Sequence, residues 1–528
     1  MSSDMLKILV IGAGPSGLAF SIELAQRWRD AKIKKPNMID LQITVRDIRI
    51  EQRKANNGMF VNVGARSGRI PGRRRDQVVT IQDDVCDHLS PLIKKQIFAN
   101  YDERVWPTSR NIPIREIEDQ LLLLAQKPQF RDTIVLEGVN DQSWKENVDA
   151  FQIIVGADGA RSKTRHELFD VEEKSIVSHG EDTALGIAFQ VPEIESGANG
   201  LPFEQKVNCI LTIAQRRYLL NARTVSRSGY LNIQLSRDEM THVLTKDGRP
   251  CVWENPGYLN TDGGVTDDLF KPYFDHRFNK GTFESRRLWE VIMDGLALFG
   301  IKKRHVTNIV GIKLPIRSSP NFTFELKGGD GDRWGFLVGD AAFSTHFWPG
   351  RGLNSALKEV AMLAWCLADV FSIANRLRRN EIIHVQYFKA FMAALREREH
   401  THRSIIFLCG ISMIKHVNNA VLLVERLEPA NIDTLFDRII SARNRLNPDD
   451  NSSSKDLTGQ FKEADVKNLL GEISLFTLNA MTQTGAWPRA PGNEILPRAF
   501  IGQSEFLLPE INENVCLYFD LLFFIVHK

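Results

Sequence analysis

A glycine turn between a buried strand and a helix constrains this chain more than any other feature. Residues Leu6 to Ile11 are a short, continuous apolar run, the pattern of a parallel strand buried on both faces. Gly12-Ala13-Gly14-Pro15-Ser16-Gly17 follows at once, and Leu18, Ile22, Ala25 and Trp28 then recur at helical spacing. In that setting Gly12 permits the tight turn, Gly14 lets a pyrophosphate approach the backbone, and Gly17 lets helix and strand pack closely. Pro15 and Ser16 open the helix, whose N-terminal amides carry about half a unit of positive charge toward a phosphate.

The rest of the first third alternates in the same way. A second strand, Leu41 to Asp47, ends on an acid that can accept hydrogen bonds from both hydroxyls of a ribose. Asp47 lies 30 residues past Gly17, and the polar stretch Lys32 to Asn37 accounts for the delay. Asn56 to Arg75 reads as a loop or mobile segment, Gln77 to Gln82 as strand-like, Ile114 to Ala125 as an amphipathic helix, and Thr133 to Leu136 and Phe151 to Val155 as strands. Strand and helix in turn predict an α/β fold, with a parallel sheet carrying helices on its faces.

Two further motifs end predicted strands. Gly156-Ala157-Asp158-Gly159-Ala160-Arg161-Ser162 follows Phe151 to Val155, and an acid there can bond backbone N–H groups and hold a loop. Gly339-Asp340-Ala341-Ala342 follows an apolar run that starts at Gly335. Asp340 can bind a polyol hydroxyl. Pro349-Gly350-Arg351-Gly352-Leu353-Asn354 then opens a long helix to Phe371, whose N-terminal amides can face a developing anion. Parallel strands place all these motifs at the carboxyl edge of one sheet, where ligands bind.

Between Thr183 and Leu326 the pattern changes to a mostly antiparallel sheet, with strands expected at Leu185 to Val191, Cys209 to Ile213, Tyr218 to Val225, Tyr230 to Leu235 and Val306 to Ile316. The expected domains are 1–182 and 327–400 for the nucleotide-binding unit, 183–326 for an interleaved substrate domain, and 401–528 for a helical C-terminal region. Lys plus Arg number 67 and Asp plus Glu 65, so no overall field recruits nucleic acid. The six cysteines are scattered without metal-ligand spacing, which argues for a reduced, cytoplasmic protein with no metal site. No basic n-region with a long apolar h-region opens the chain, so no signal peptide is expected. Val515 to Val526 is apolar apart from Asp520, but well short of the ~20 residues of a membrane helix. It reads as a docked terminal segment, with a membrane-surface anchor as the second reading.

Together, GAGPSG, GADGARS, GDAA and PGRGLN resemble the FAD-dependent monooxygenases of the para-hydroxybenzoate hydroxylase type, over roughly residues 5–400. The resemblance implies FAD, with Asp47 on the adenosine ribose, Asp340 on the ribityl chain, and amides of Leu353 and Asn354 at the flavin ring. It further implies that Asp158 serves both FAD and the pyridine nucleotide, and that Arg115 reaches the FAD chain. Phe347-Trp348-Pro349 with Gly350 and Gly352, and Ile114-Arg115-Glu116-Ile117, are similar to the flavin domain of the actin-oxidising MICAL monooxygenases.

There are departures. Phe343 stands where many aromatic hydroxylases have histidine after GDAA, His346 follows three residues later, and Arg351 replaces the usual glutamine. Both changes fall where substrate should meet the flavin, so the substrate class stays open. In the family a reduced flavin traps oxygen as a peroxide and passes one oxygen atom on, and the protein supplies orientation and a dry pocket. The expected activity is therefore NAD(P)H- and O2-dependent hydroxylation of a small organic molecule, aromatic ones included. His346 is the candidate base, and Arg351 a candidate for stabilising charge on flavin or substrate. Arg66, Arg69, Arg73, Arg74 and Arg75 read as a solvated loop or as contacts to NAD(P)H phosphates. The competing readings are a MICAL-like enzyme that oxidises a protein side chain, and a flavin-binding module without turnover. None of the nine tryptophans forms the WxWxIP signature of flavin halogenases.

Overall fold

The computed structural model describes residues 5–53, 58–64, 74–75, 77–101, 103, 109–193, 208, 210–212, 214–244, 252–254, 283–326, 333–346, 351–374, 382–403, 430–446, 463–474, 477–478, 481–482 and 497. Within them run strands β1 (Met5–Ile11), β2 (Asp40–Asp47), β3 (Ile50–Arg53), β4 (Met59–Asn62), β5 (Val78–Gln82), β6 (Ser109–Pro113), β7 (Ile134–Gly138) and β8 (Ile153–Gly156). After these come β9 (Val177–Gln190), β10 (Tyr218–Arg223), β11 (Ser228–Gln234), β12 (Val252–Glu254), β13 (Val306–Ser318), β14 (Thr323–Leu326) and β15 (Arg333–Leu337).

One sheet has the order β14-β15-β8-β1-β2-β7. Five of its strands are parallel and β14 runs antiparallel at the edge. Ile8, Leu9 and Val10 of the central β1 are fully buried, as a strand covered on both faces requires. The helices Pro15–Lys34 and Arg351–Ala374 pack against each other beside this sheet, and Ile114–Ala125 packs on the first of them. The helix Pro15–Lys34 carries the extra length between Gly17 and β2, and its last turn, Lys32 to Lys34, ends in a turn before Met38. The α/β architecture expected from the sequence is thus the architecture found.

The second sheet is antiparallel throughout, in the order β10-β11-β9-β13-β12. Its core joins Leu185 and Ile187 to Leu288 and Val291 of the helix Phe283–Leu298. Leu435 and Ile439 from the helix Ala430–Leu446 and Leu470 from the helix Glu463–Gly471 belong to the same core, so the C-terminal helices complete the second sheet's hydrophobic layer. β9 runs unbroken across residue 183, and β14 hydrogen-bonds within the six-stranded sheet.

A small ribbon, β5 paired with β6, ties the two sheets together. The Asn221 amide on β10 donates to the Val78 carbonyl at 2.8 Å, and the Asn111 amide on β6 donates to the Ala222 carbonyl at 3.0 Å. Polar side chains at such a joint satisfy backbone groups that would otherwise be buried without partners.

Two readings of the sequence need correction. Of Cys209 to Ile213, the described residues Ile210, Leu211 and Thr212 are helical, and the Ala214 amide donates to the Ile210 carbonyl at 3.0 Å. A short apolar run has no periodicity that separates strand from buried helix, and tertiary packing decided it. Asn56 to Arg75 is not all loop, because β4 pairs with β3 as a hairpin. Among the described residues no group of three or more metal-ligating side chains occurs, and no helix is long and apolar enough to cross a membrane. The apolar segment Val515 to Val526 lies outside the described residues. Cys86 and Cys366 are buried free thiols, and burial pushes Cys86 up to about 12, which keeps it protonated and inert.

Candidate functional site

The strand registers bring the motifs to one line. Ile11 lies beside Arg46 on one side and Gly156 on the other, and Gly156 lies beside Leu337. The residues that follow these strand ends therefore share one sheet edge. A cavity of about 610 Å³ opens there, between this edge and the second sheet. Gly12, Gly14, Asp47, Asp158 and Asp340 line it from the first sheet, and Asn221, Asn232, Ile312 and Leu314 face it from the second.

The glycine turn is sterically committed. Gly12 has φ +112°, and a Cβ there would stand 2.4 Å from the Ala157 carbonyl oxygen. A Cβ on Gly17 would meet the Gly12 carbonyl oxygen at 1.9 Å, so helix and turn pack as the sequence implied. Gly14 differs: the nearest atom to a Cβ there is Arg49 Nη2, at 3.5 Å. Its approach is open except for that guanidinium. Gly14 caps the helix and Pro15 occupies its first turn, where a missing N–H costs nothing.

Asp47 is buried and already bonded. One carboxylate oxygen accepts from the Ala13 amide at 2.6 Å, the other from the Arg49 amide at 2.7 Å, and Arg49 Nη2 closes an ion pair at 2.8 Å. Burial by itself would raise this carboxyl. The Arg49 charge and these hydrogen bonds outweigh it and hold Asp47 below the usual carboxylate range. Arg49 reaches on to Glu118 at 3.2 Å, and Arg74 meets Glu118 at 3.4 Å and Asp119 at 2.7 Å. Arg74 is thus tied to the helix Ile114–Ala125 rather than to a solvated loop, while Arg75 lines the cleft. Arg66, Arg69 and Arg73 lie outside the described residues.

Asp158 faces inward to its own loop. It accepts from Ser162 Oγ at 2.5 Å, from the Thr164 amide at 3.0 Å and from Thr164 Oγ1 at 3.1 Å. Burial raises its carboxyl despite these bonds. Arg165 then joins this loop to the next motif, donating to the Ala160 carbonyl at 3.1 Å and the Ala341 carbonyl at 3.0 Å.

Gly339 adopts φ +62° and wedges against the glycine-turn helix: a Cβ there would come within 2.5 Å of Ser16 Oγ. Its amide donates to buried Glu359 at 2.6 Å. Asp340, next in the chain, lines the cleft; burial pushes its carboxyl up, and Arg75 pulls the other way. Gly352 and Leu353 also line the cleft, near the start of the helix Arg351–Ala374. The Asn354 side chain turns away to the ribbon, accepting from the Gln82 amide at 3.1 Å and donating to the Thr80 carbonyl at 2.8 Å.

Arg115, His346 and Arg351 flank residues of the cleft wall without lining it. Arg115 opens the helix Ile114–Ala125, and it is Ile114 that lines the cleft. His346 is buried at 2% exposure and Arg351 is half-buried, and neither is among the lining residues. Phe347, Trp348, Pro349 and Gly350 lie outside the described residues. Sequence reasoning missed Arg49, Glu118, Arg165 and Glu359. The only available signal was that each stands one to several residues from a motif.

No family model matches the chain, and no curated protein matches it. Among solved structures, the chain is similar to PqsL, described as a probable FAD-dependent monooxygenase from Pseudomonas aeruginosa, at 12% identity over 75% of this chain and 95% of that one, with a TM-score of 0.39. It is similar to a variant of HpxO from Klebsiella pneumoniae complexed with FAD, at 13% identity over 91% and 99% of the two chains, with a TM-score of 0.37. A third similar structure is CtdE in complex with FAD, at 12% identity over 75% and 92%, with a TM-score of 0.41.

Proposed function

We propose that the chain is an FAD-dependent monooxygenase that uses NAD(P)H and O2 to hydroxylate a small organic molecule. The observation that carries this reading is the convergence of four parallel strand ends, with Gly12 to Gly14, Asp47, Asp158 and Asp340, on one cleft. The residues fit the cofactor. Gly14 leaves backbone open to a pyrophosphate, and the helix it caps has no acid in its first turn to repel one. In this reading Asp47 would meet the adenosine ribose and Asp340 would accept from the hydroxyls of the ribityl chain; both line the cleft. Bound there, FAD supplies the transfer of electrons from NAD(P)H to oxygen.

The chain's own residues do the rest. The Asp158 loop, locked by Ser162, Thr164 and Arg165, gives the cleft a rigid wall. Ile312, Lys313 and Leu314 on β13, Asn221 on β10 and Asn232 on β11 form the opposite wall, two apolar side chains beside two amides and a lysine. Such a wall offers apolar contact from Ile312 and Leu314 and polar groups that would orient a small substrate. In this reading the six-stranded sheet is the cofactor domain and the antiparallel sheet the substrate domain.

The test has two steps. Purified protein should be yellow and release about one FAD per chain on denaturation. NADPH oxidation under oxygen should then be stimulated by some members of a small-molecule panel. Release of another nucleotide, or failure to bind FAD on titration, overturns the cofactor assignment. Stimulation by a folded protein alone overturns the substrate class.

A further inference from the structure

A cluster of buried ionisable groups adjoins the cleft, and the proposed function gives it no role. Asp340 stands at the cleft end. With it belong Glu359 and Lys358 on the helix Arg351–Ala374, and Glu399 in the segment Arg398–Arg403. Lys358, Glu359 and Glu399 are each no more than 1% exposed. Buried charges are rare unless paired or bonded, so such a cluster needs a reason.

Glu359 makes the decisive contact. Its carboxylate accepts the Gly339 amide at 2.6 Å, at the left-handed residue that sets the direction of Asp340. The turn has little freedom, because Gly339 is confined between Ser16 and Ala356. Ala356 lines the cleft three residues before Glu359 on the same helix, so the helix that faces the ligand also holds the turn.

Resting on the FAD reading, we propose that Glu359 is the positioning residue for Asp340 and that its protonation is linked to occupancy of the cleft by the cofactor's polyol. Hydroxyl donors on Asp340 favour its ionised form. An ionised Asp340 in turn favours a neutral Glu359, since two buried carboxylates in one cluster repel each other. The groups facing Glu359 set the balance. Burial, Asp340 and Glu399 push its carboxyl up to about 8, against the Gly339 amide and Lys358. Linkage is reciprocal, so removing the proton from Glu359 must weaken the ligand.

The experiment is FAD titration of the deflavinated full chain across alkaline pH, with wild type, Glu359→Gln and Glu359→Ala. Wild-type affinity should fall about tenfold as pH rises from about 7 to about 9.5, through the range where Glu359 ionises. Glu359→Gln keeps an oxygen for the Gly339 amide but has no proton to lose, so its slope should be flattened. Glu359→Ala removes the acceptor and should bind worse at every pH. A flat wild-type profile, or a Glu359→Gln profile as steep as wild type, overturns the proposal. If no variant binds FAD at any pH, the cofactor reading falls, and the thermal midpoint without ligand decides the rest. A group raised by folding contributes stability that is lost as pH rises toward its folded value, so wild type should lose stability toward about pH 8 more steeply than Glu359→Gln. Identical curves would refute a titrating Glu359.

Discussion

Arg49 closes on Asp47 at 2.8 Å and lies over Gly14, so one guanidinium spans the acid that ends β2 and the open face of the glycine turn. It also serves Glu118, so two buried carboxylates depend on it. Replacing Arg49 by Ala should destabilise the protein by about 3 kcal/mol at neutral pH, the cost of leaving buried charges with fewer partners. Asp47 is held below its ordinary value, so its contribution is present above the unfolded pKa and lost as pH falls through the folded one. The cost of Arg49→Ala should therefore be largest at neutral pH and shrink as pH falls through the range where Asp47 takes up its proton. Urea melts at neutral and acid pH measure both effects, and a variant as stable as wild type at each would show the pair to be dispensable.

Asp158 and Asp340 should separate cleanly. Both line the cleft, but the Asp158 carboxylate is spent on Ser162 and Thr164. Asp340→Ala should weaken FAD binding by roughly 1.5–3 kcal/mol, the worth of a charge-assisted hydrogen bond. Asp158→Ala should chiefly lower stability, by about 1–3 kcal/mol, because it orphans the buried Thr164 amide. Titration and denaturant melts of both variants would expose a wrong division if their effects were alike.

Gly12 and Gly14 make a paired test of strain against access. Gly12→Ala forces a side chain to φ +112° and into the Ala157 carbonyl, so it should destabilise by about 3 kcal/mol or more. Gly14→Ala meets only Arg49 and should fold nearly normally, while the proposed pyrophosphate contact predicts loss of FAD because the methyl narrows the open approach. Unhindered FAD binding by Gly14→Ala would place the phosphates elsewhere.

Asn354 should behave as a brace. Its amide satisfies the Thr80 carbonyl and the Gln82 amide, pinning the β5–β6 ribbon to the helix Arg351–Ala374. Asn354→Ala should cost about 1–3 kcal/mol through these unsatisfied groups. Hydrogen exchange should also accelerate in β5 before it does in β1, and uniform exchange across both would count against the brace.

Several of these relationships were readable in advance, because they depend on neighbours in the chain. A buried apolar run followed by glycines dictates strand, turn and helix locally. Asp47, Asp158 and Asp340 stand at strand ends that parallel pairing must bring to one edge. The helix Ile114–Ala125 was visible in its apolar spacing to the residue. What stayed hidden was partnership across distance. Arg49 finds Glu118 69 residues away, and Arg165 reaches a carbonyl 176 residues away. Nothing in local composition marks which arginine will find a buried acid. The same holds for Ile210 to Thr212, whose apolar run suits strand and helix equally until its surroundings choose. The amino-acid order by itself determined the glycine turn, the alternation that makes a parallel sheet, and the acids at its edge, since short-range sterics and periodicity suffice for these. Only the tertiary structure decided that Arg49 covers Asp47, that Glu359 holds Gly339, and that the C-terminal helices close the second core. Those outcomes depend on which buried charges and apolar faces are left to satisfy one another once the chain has packed.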